Sequence, residues 1–148
     1  MTPQRFSMKT STTSYDGAVA DVIDLIRREL ARDSRGIVAA YVFGSVARGT
    51  DNAASDVDVA VWLAGPPPSH LAQQRFDLED DLRGVAGRPV QLVILNQAPP
   101  DLVHRVLRDG ILVHEADRTA RVRFEVKARN EYFDVLPYLR LYRRGRAA

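Results

Sequence analysis

Two acidic side chains, Asp56 and Asp58, are the residues of this chain whose types and spacing are best suited to chemistry. They lie one residue apart in the alternating segment 56–63, a pattern that predicts a β-strand. Successive side chains of a strand point to opposite faces, so both carboxylates are predicted to share one face. Two carboxylates held side by side repel each other unless a cation lies between them. The pair therefore predicts a divalent metal site, with Mg²⁺ as the first candidate because every ligand is an oxygen.

A glycine–serine pair precedes the acids, with ten residues between the two motifs. Gly44 and Ser45 follow the apolar run 37–43 and predict a tight turn, whose backbone N–H groups and hydroxyl are suited to binding a phosphate. Arg48 is close enough in sequence to reach a triphosphate at this turn, although an ordinary surface arginine fits the pattern equally well. We assign Ser55, directly before the acidic pair, to the same nucleotide site.

The loop between the two motifs, 49–55, is rich in Gly, Asn, Asp and Ser, which predicts a flexible connection. Asp51 within it is expected to be an ordinary loop residue. Each motif alone also has a purely structural interpretation, because an isolated Asp-x-Asp is often a solvated strand end and an isolated Gly-Ser is a turn. The combination at this spacing, with each part beside a predicted strand, favours a functional site.

This combination resembles the signature of the DNA polymerase β-like nucleotidyltransferase superfamily. The small size of the chain resembles the minimal nucleotidyltransferase (MNT) branch, whose members are the antitoxin partners of HEPN-domain ribonuclease toxins. The resemblance continues through Val-Gln-Leu-Val-Ile-Leu-Asn at 90–96 and Arg-Asp-Gly at 108–110, and it covers roughly residues 21–142. It implies an α/β fold, with a small mixed, twisted sheet flanked by helices.

The resemblance also implies a catalytic arrangement. Asp56 and Asp58 would hold Mg²⁺ as the cofactor, and the Gly-Ser turn would bind the triphosphate of the substrate ATP. A third carboxylate, on the neighbouring strand, would help to activate the acceptor hydroxyl, and its position falls at Gln91. A glutamine is not an acid, and its amide cannot act as a base or neutralise a cation. We place Gln91 in the catalytic set, expect it to be a buried amide that faces the acids, and expect transfer to be impaired.

The function that the resemblance implies is that of an antitoxin, which neutralises its HEPN toxin by moving AMP from ATP to a toxin tyrosine. Two alternatives stay open. One is a degenerate nucleotidyltransferase that neutralises the toxin by contact alone. The other is an enzyme that nucleotidylates a small molecule such as an aminoglycoside. This last alternative is less favoured, because such enzymes usually carry a further substrate-binding domain and little chain remains for one.

Hydrophobic periodicity predicts the elements that must position these residues. Ser69 is expected to cap the second long helix, and Pro137 is expected to kink the last. We divide the chain into a flexible leader (1–14), a nucleotidyltransferase core (15–117) and a basic C-terminal helix that extends the same domain (118–148). The predicted helices are 15–31, a short one at 45–48, 70–85, 99–109 and 118–142, and the predicted strands are 37–43, 56–63, 90–95 and 111–114.

Charge is unevenly distributed along the 148 residues. Residues 118–148 contain eight Arg and one Lys against two Glu and one Asp, which is +6, so the rest of the chain carries −4 of the total of +2. Aromatic side chains are interleaved with these arginines, a composition that suits a protein interface. A protein partner is therefore favoured over nucleic acid. The residues assigned to partner binding are Arg129, Tyr132, Phe133, Tyr138 and Arg140.

Composition also bounds the location of the protein. There is no cysteine, which fits a reducing cytoplasm and excludes disulfides and thiolate metal sites. No apolar run approaches the roughly 18 residues that span a bilayer, and the N-terminal stretch lacks the apolar core of a secretory signal. We therefore expect a cytoplasmic protein with no membrane partner.

Overall fold

The structure is a computed structural model that describes residues 14–66 and 68–147. Every predicted helix and strand is found in this part of the chain. In chain order the elements are α1 (Ser14–Arg32), β1 (Ile37–Phe43), α2 (Gly44–Arg48), β2 (Val57–Leu63), α3 (Leu71–Ala86), β3 (Val90–Ile94), a 3₁₀ turn (Leu95–Gln97), α4 (Pro100–Asp109), β4 (Ile111–Glu115) and α5 (Arg118–Ala147).

The four strands form one mixed sheet in the order β3-β2-β1-β4. β1 is antiparallel to both of its neighbours, β2 and β4, whereas β2 and β3 are parallel. The uniformly apolar β1 is therefore an interior strand, as expected for a strand buried on both faces. This arrangement confirms the predicted α/β architecture, a small mixed sheet flanked by helices.

Helices cover both faces of the sheet, and the alternation of β2 divides its side chains between two cores. Val57, Val59 and Val61 pack with α1 and α3 on one face. Ala60 and Trp62 pack with α4 and α5 on the other. Asp58 has the same parity as this second set, so its carboxylate lies on the α4–α5 face.

β3 is an edge strand, and α3 occupies part of its open edge. Glu79 accepts a hydrogen bond from the backbone N–H of Leu92 at 2.9 Å, and Arg75 donates one to the carbonyl oxygen of the same residue at 3.3 Å. Backbone groups at a sheet edge are otherwise left to solvent or to another chain. These two contacts tie β3 to α3 at the residue directly after Gln91.

Three expectations about the elements need correction or comment. Ser69 does not cap α3, because a turn from Pro68 to Leu71 delays the helix and leaves His70 as its N-cap, without a side-chain capping bond. α5 continues through Pro137 to Ala147, beyond the predicted end. Within the predicted leader, residues 1–13 lie outside the described residues, and Ser14 already belongs to α1. The division of the chain at residue 117 stays a prediction.

The part of the chain that the structure describes contains no helix that is both long and apolar enough to cross a membrane.

Candidate active site

The acidic pair lies where β2 begins, with Asp56 directly before the strand and Asp58 as its second residue. In the strand register, Asp58 is opposite Phe43 on β1 and beside Gln91 on β3. Paired residues of adjacent strands project from the same face, about 5 Å apart. The sheet therefore brings the end of β1, the acids and the predicted third position together.

Gly44, the first residue of α2 directly after β1, lies against the Asp58 carboxylate. Its φ angle is +73°, in the left-handed region that side chains rarely adopt. A Cβ placed on Gly44 would lie 2.2 Å from Oδ2 of Asp58, which is far inside van der Waals contact. Only glycine lets the backbone turn this closely past the carboxylate, so the glycine of the Gly-Ser pair and the second acid form one structural unit.

Gly44→Ala is expected to destabilise the protein and to abolish nucleotide binding together. The positive φ costs about 1–3 kcal/mol for a non-glycine residue, and the Cβ displaces the Asp58 carboxylate as well. Thermal unfolding and calorimetry with Mg²⁺ and AMP-PNP would measure the two effects. Gly84→Ala on α3 is the matched control, because a Cβ there meets nothing within 4 Å and should stabilise the helix by about 0.5–1 kcal/mol. Wild-type stability and binding in Gly44→Ala would contradict the geometry.

The charge of Asp58 is unfavourable in the folded protein. Partial burial raises the pKa of its carboxyl group most, the neighbouring Asp56 charge raises it further, and Arg48 lowers it. A carboxylate that is both partly buried and repelled by a second one is stabilised by a cation. The negative charge of Asp58 is therefore unfavourable in the folded chain, and a bound metal ion would stabilise it.

The Asp56 and Asp58 carboxylates are suited to Mg²⁺, and their assignment as its ligands stays a prediction. Among the described residues there is no cluster of three or more His, Cys, Asp or Glu side chains suited to a metal ion. Mg²⁺ commonly binds through one or two carboxylates together with substrate phosphates and water. Two carboxylates are therefore suited to a metal ion that binds together with a nucleotide, whose phosphates supply the other ligands.

The loop between the motifs is fixed by a buried ion pair that the sequence did not reveal. Asp51 is 6% exposed and binds Arg88 at 2.8 Å, so the expectation that it is an ordinary loop residue was wrong. Arg88 also donates hydrogen bonds to the backbone oxygens of Asn52 and Ser55, at 2.9 Å each. This arginine, two residues before β3, ties the loop to the strand that carries Gln91.

The side chain of Ser55 takes part in the same loop. Its Oγ accepts a hydrogen bond from the backbone N–H of Asn52 at 3.0 Å, while the Asn52 side chain accepts one from the N–H of Ala54 at 2.9 Å. These bonds shape the approach of the chain to Asp56. The assignment of Ser55 to nucleotide binding stays a prediction.

A cavity of about 190 Å³ lies between Asp58 and α4. Asp58 of β2 and Gly44 and Arg48 of α2 line one part of it, and Arg105 and Asp109 of α4 line another. Arg48, which the sequence left undecided, therefore shares a cavity with Asp58. α4 contributes two charged residues that sequence reasoning missed, although their i, i+4 spacing places them on one helix face.

Comparison with known families agrees with this geometry. A family model described as "Polymerase beta, Nucleotidyltransferase" matches residues 26–119, which is more than half of the chain and includes both motifs. The chain belongs to this nucleotidyltransferase family. The resemblance inferred from the Gly-Ser and Asp-x-Asp motifs is thereby confirmed.

Similar folds occur in solved toxin–antitoxin structures. A toxin–antitoxin crystal structure with AMP-PNP has a TM-score of 0.72 and 24% identity, over 85% of this chain and 98% of that one. An MntA–HepT toxin–antitoxin structure has a TM-score of 0.66 and 21% identity, over 86% and 97%. A structure of a tri-AMPylated Shewanella oneidensis HEPN toxin with its MNT antitoxin gives 0.63 and 21%, over 90% and 99%. At these identities the likeness shows the fold alone. No curated protein matches the sequence significantly.

Gln91 of this nucleotidyltransferase lies where the sequence placed it but is not buried. It is the strand neighbour of Asp58, yet its side chain is exposed, because β3 is the sheet edge and neither α4 nor α5 covers this end of the strand. Gln91 and Asp56 line one open groove of about 450 Å³. The expectation that Gln91 is a buried amide was therefore wrong. An exposed amide can be satisfied by water and needs no hydrogen-bond partner within the protein.

The first half of α5 packs on the nucleotidyltransferase sheet. The Phe124 ring stacks on Trp62 with a centroid separation of 4.6 Å. Glu125 accepts hydrogen bonds from the Tyr41 hydroxyl and from Arg121, each at 2.7 Å, and Arg129 pairs with the same carboxylate at 3.6 Å. Arg129 thus has a partner within its own chain.

The residues assigned to partner binding differ in their surroundings further along α5. Tyr132 stacks on His104 of α4 at 3.7 Å, so part of its surface is used internally. Phe133 and Tyr138 are 60% and 73% exposed, and Arg140 is exposed as well. The partner role of all five stays a prediction, and it is strongest for these three exposed residues.

Proposed function

We propose that this chain is an antitoxin of the MNT type, which transfers AMP from ATP to a tyrosine of a HEPN-domain toxin. The observation that carries the proposal is the unit formed by Gly44 and the Asp56–Asp58 pair within a polymerase β-like nucleotidyltransferase domain. Similar folds in toxin–antitoxin structures, one with AMP-PNP and one with an AMPylated HEPN toxin, support the choice of substrate and partner.

The transfer exchanges a phosphoanhydride bond of ATP for a phosphoester bond to the acceptor. The acceptor hydroxyl oxygen forms a bond to the α-phosphorus of ATP, and the bond from that phosphorus to the bridging oxygen of the β-phosphate breaks. Pyrophosphate leaves with the bonding electron pair, and the acceptor proton must pass to a base. Mg²⁺, when bound, lowers the cost of the negative charge that develops in this step.

The residues of the chain have separate tasks in this proposal. Asp56 and Asp58 hold the metal with the nucleotide. Gly44 and Ser45 orient the phosphates, and Arg48 offers a positive charge from the cavity that it shares with Asp58. Gln91 lies where a third acid would accept the acceptor proton, but an amide cannot do so. Solvent water takes the proton instead, so we expect slow transfer.

The exposed second half of α5 is the proposed surface for the toxin. Phe133 and Tyr138 combine with the arginines of this helix, and aromatic and arginine side chains are those that most often dominate protein interfaces. Phe133 and Tyr138 lie on the same helix as Phe124, which stacks on Trp62 on the face of the sheet that also carries Asp58.

Replacing Phe133 and Tyr138 with aspartate is expected to weaken toxin binding about 30-fold or more, the effect of losing interface residues worth at least 2 kcal/mol. Both side chains are exposed, so folding should be retained. Phe76→Asp is the matched control, because Phe76 is 62% exposed on α3, across the sheet. Co-purification and affinity measurements would report the difference, and unchanged affinity would show that α5 serves its own domain only. Binding that falls steeply with added salt would indicate nucleic acid instead.

Contact-only neutralisation is the second candidate, because Gln91 removes the base while the α5 surface is intact. The two candidates differ in their need for ATP. If the chain acts by transfer, ribonuclease inhibition requires ATP and Mg²⁺ and persists after the toxin is separated from the chain. If it acts by contact, inhibition occurs without ATP and is lost on separation. Measuring toxin activity before and after separation distinguishes them. Small-molecule transfer is less favoured, since the similar folds with AMP-PNP and with an AMPylated protein are toxin–antitoxin structures.

A further inference from the structure

The cavity of about 190 Å³ beside Asp58 is lined in part by an arginine that the sequence motifs do not include. Arg105 lies on α4, sixty residues after the Gly-Ser pair, and lines the cavity together with Gly44, Arg48 and Asp58. Arg48 belongs to α2, so the two arginines reach the cavity from different helices. The helix that carries Arg105 is held against the sheet by the buried side chains of Val103 and Val106.

Arg105 differs from the arginine three residues later. Arg108 forms a two-point contact with Asp109, at 2.9 and 2.8 Å. Arg105 makes no ion pair or hydrogen bond with any described side chain, whereas Arg88 and Arg121 are paired with acids. A cation that borders a partly enclosed space without a partner is suited to an anionic ligand.

We propose that Arg105 binds the β- and γ-phosphates of the nucleotide, acting with Arg48 as a clamp on the triphosphate. The assignment rests on the proposed nucleotidyltransferase function and extends it to a residue outside the motifs. A guanidinium offers two parallel N–H donors, which match the geometry of phosphate oxygens. Asp56 and Asp58 repel the phosphates unless cations offset them, and Mg²⁺ neutralises only part of the charge of the triphosphate. Arg48 from α2 and Arg105 from α4 supply further positive charge.

The clamp makes a specific prediction about which part of the nucleotide is affected. Arg105→Ala in the full chain should weaken binding of AMP-PNP with Mg²⁺ about 10- to 100-fold, the effect of losing charged hydrogen bonds. Binding of AMP, which lacks the β- and γ-phosphates, should change by less than about 2-fold. Arg105→Lys should recover part of the AMP-PNP affinity, because a lysine retains the charge but not the paired donors.

Isothermal calorimetry with AMP-PNP and with AMP, each in the presence of Mg²⁺, would test the clamp. Arg28→Ala is the control, because Arg28 is an exposed helical arginine on α1, across the sheet, and both affinities should be retained. Arg105 is exposed, so its loss should leave the melting temperature unchanged, which thermal unfolding verifies.

The outcomes separate the clamp from the proposed function. If the wild-type chain binds AMP-PNP and Arg105→Ala binds it equally well, the clamp is overturned and the proposed function stands. Equal losses for AMP and AMP-PNP also overturn the assignment to the β- and γ-phosphates. If the wild-type chain binds no nucleotide at all, the proposed transferase function fails, and the clamp fails with it.

Discussion

Replacing both Asp56 and Asp58 with asparagine is expected to remove ATP-dependent transfer, with a loss of about 10³-fold or more. Neutral amides hold a hard cation poorly, and the metal contributes several kcal/mol to stabilising the developing charge. Mg²⁺-dependent binding of AMP-PNP should be lost in parallel. Calorimetry and transfer of radiolabelled AMP to the toxin would measure the two effects.

The same double variant should be at least as thermally stable as the wild type at neutral pH. Burial and the Asp56 charge raise the pKa of Asp58 in the folded state, so the native protein binds this proton more tightly than the unfolded chain does. Stability contributed by the protonated group is therefore lost as pH rises from the ordinary carboxyl pKa through the raised one. The two asparagine substitutions remove this pH-dependent loss of stability, because neither amide is charged. A lower melting temperature would show that the acids support the fold.

A charge-matched control separates the site from a general effect of charge. Asp77 and Asp80 are exposed on α3, where Asp77 accepts a hydrogen bond from Gln73 and Asp80 pairs with Arg83. Asp77→Asn with Asp80→Asn removes the same two charges but should leave nucleotide binding and transfer unchanged. Retained transfer in the Asp56–Asp58 variant would overturn the assigned metal ligands.

Gln91→Asp is expected to raise the rate of AMP transfer about 10²–10⁴-fold, the usual contribution of a general base. The register places position 91 beside Asp58 on the same face, and the exposure of Gln91 means that a carboxylate there needs no desolvation. Initial rates of toxin labelling would measure the gain. Gln97→Asp, at an exposed position after β3, adds the same charge elsewhere and should have no effect.

The comparison at position 91 also tests the alignment of the chain with its family. Equal, robust transfer by the wild-type chain and the Gln91→Asp variant would show that another residue supplies the base. Absence of transfer by both, with nucleotide binding retained, would favour an antitoxin that acts by contact. In either case the pairing of β3 with β2 would remain valid, but position 91 would not be the site of the catalytic base.

Much of the fold and part of the candidate site could be predicted from the sequence because they follow from local periodicity. Alternation around Asp56 and Asp58 places both acids on one face, and a glycine at the end of an apolar strand indicates a tight turn. Parallel pairing of β2 and β3 then brings Gln91 next to Asp58. The first two steps depend on neighbours in sequence and on strand parity, whereas the pairing of β2 with β3 was implied by the family resemblance.

The parts that could not be predicted depend on contacts between distant segments. The burial of Asp51 requires Arg88, which lies 37 positions later and arrives only when β3 joins the sheet. The exposure of Gln91 follows from the absence of a helix over one end of an edge strand, which periodicity does not report. Arg105 is a candidate site residue only because α4 packs near the end of β1, where Arg105 lines the cavity beside Asp58.

The measurement that tests the proposed transferase most directly is the intact mass of the HEPN-domain toxin after incubation with this chain, ATP and Mg²⁺. The proposed function predicts that toxin molecules heavier by one or more AMP units accumulate, slowly with the wild-type chain and faster with Gln91→Asp. They should be absent without ATP and with the Asp56–Asp58 double variant. A toxin whose mass stays unchanged with both the wild-type and the Gln91→Asp chain would contradict AMP transfer as the function of this protein.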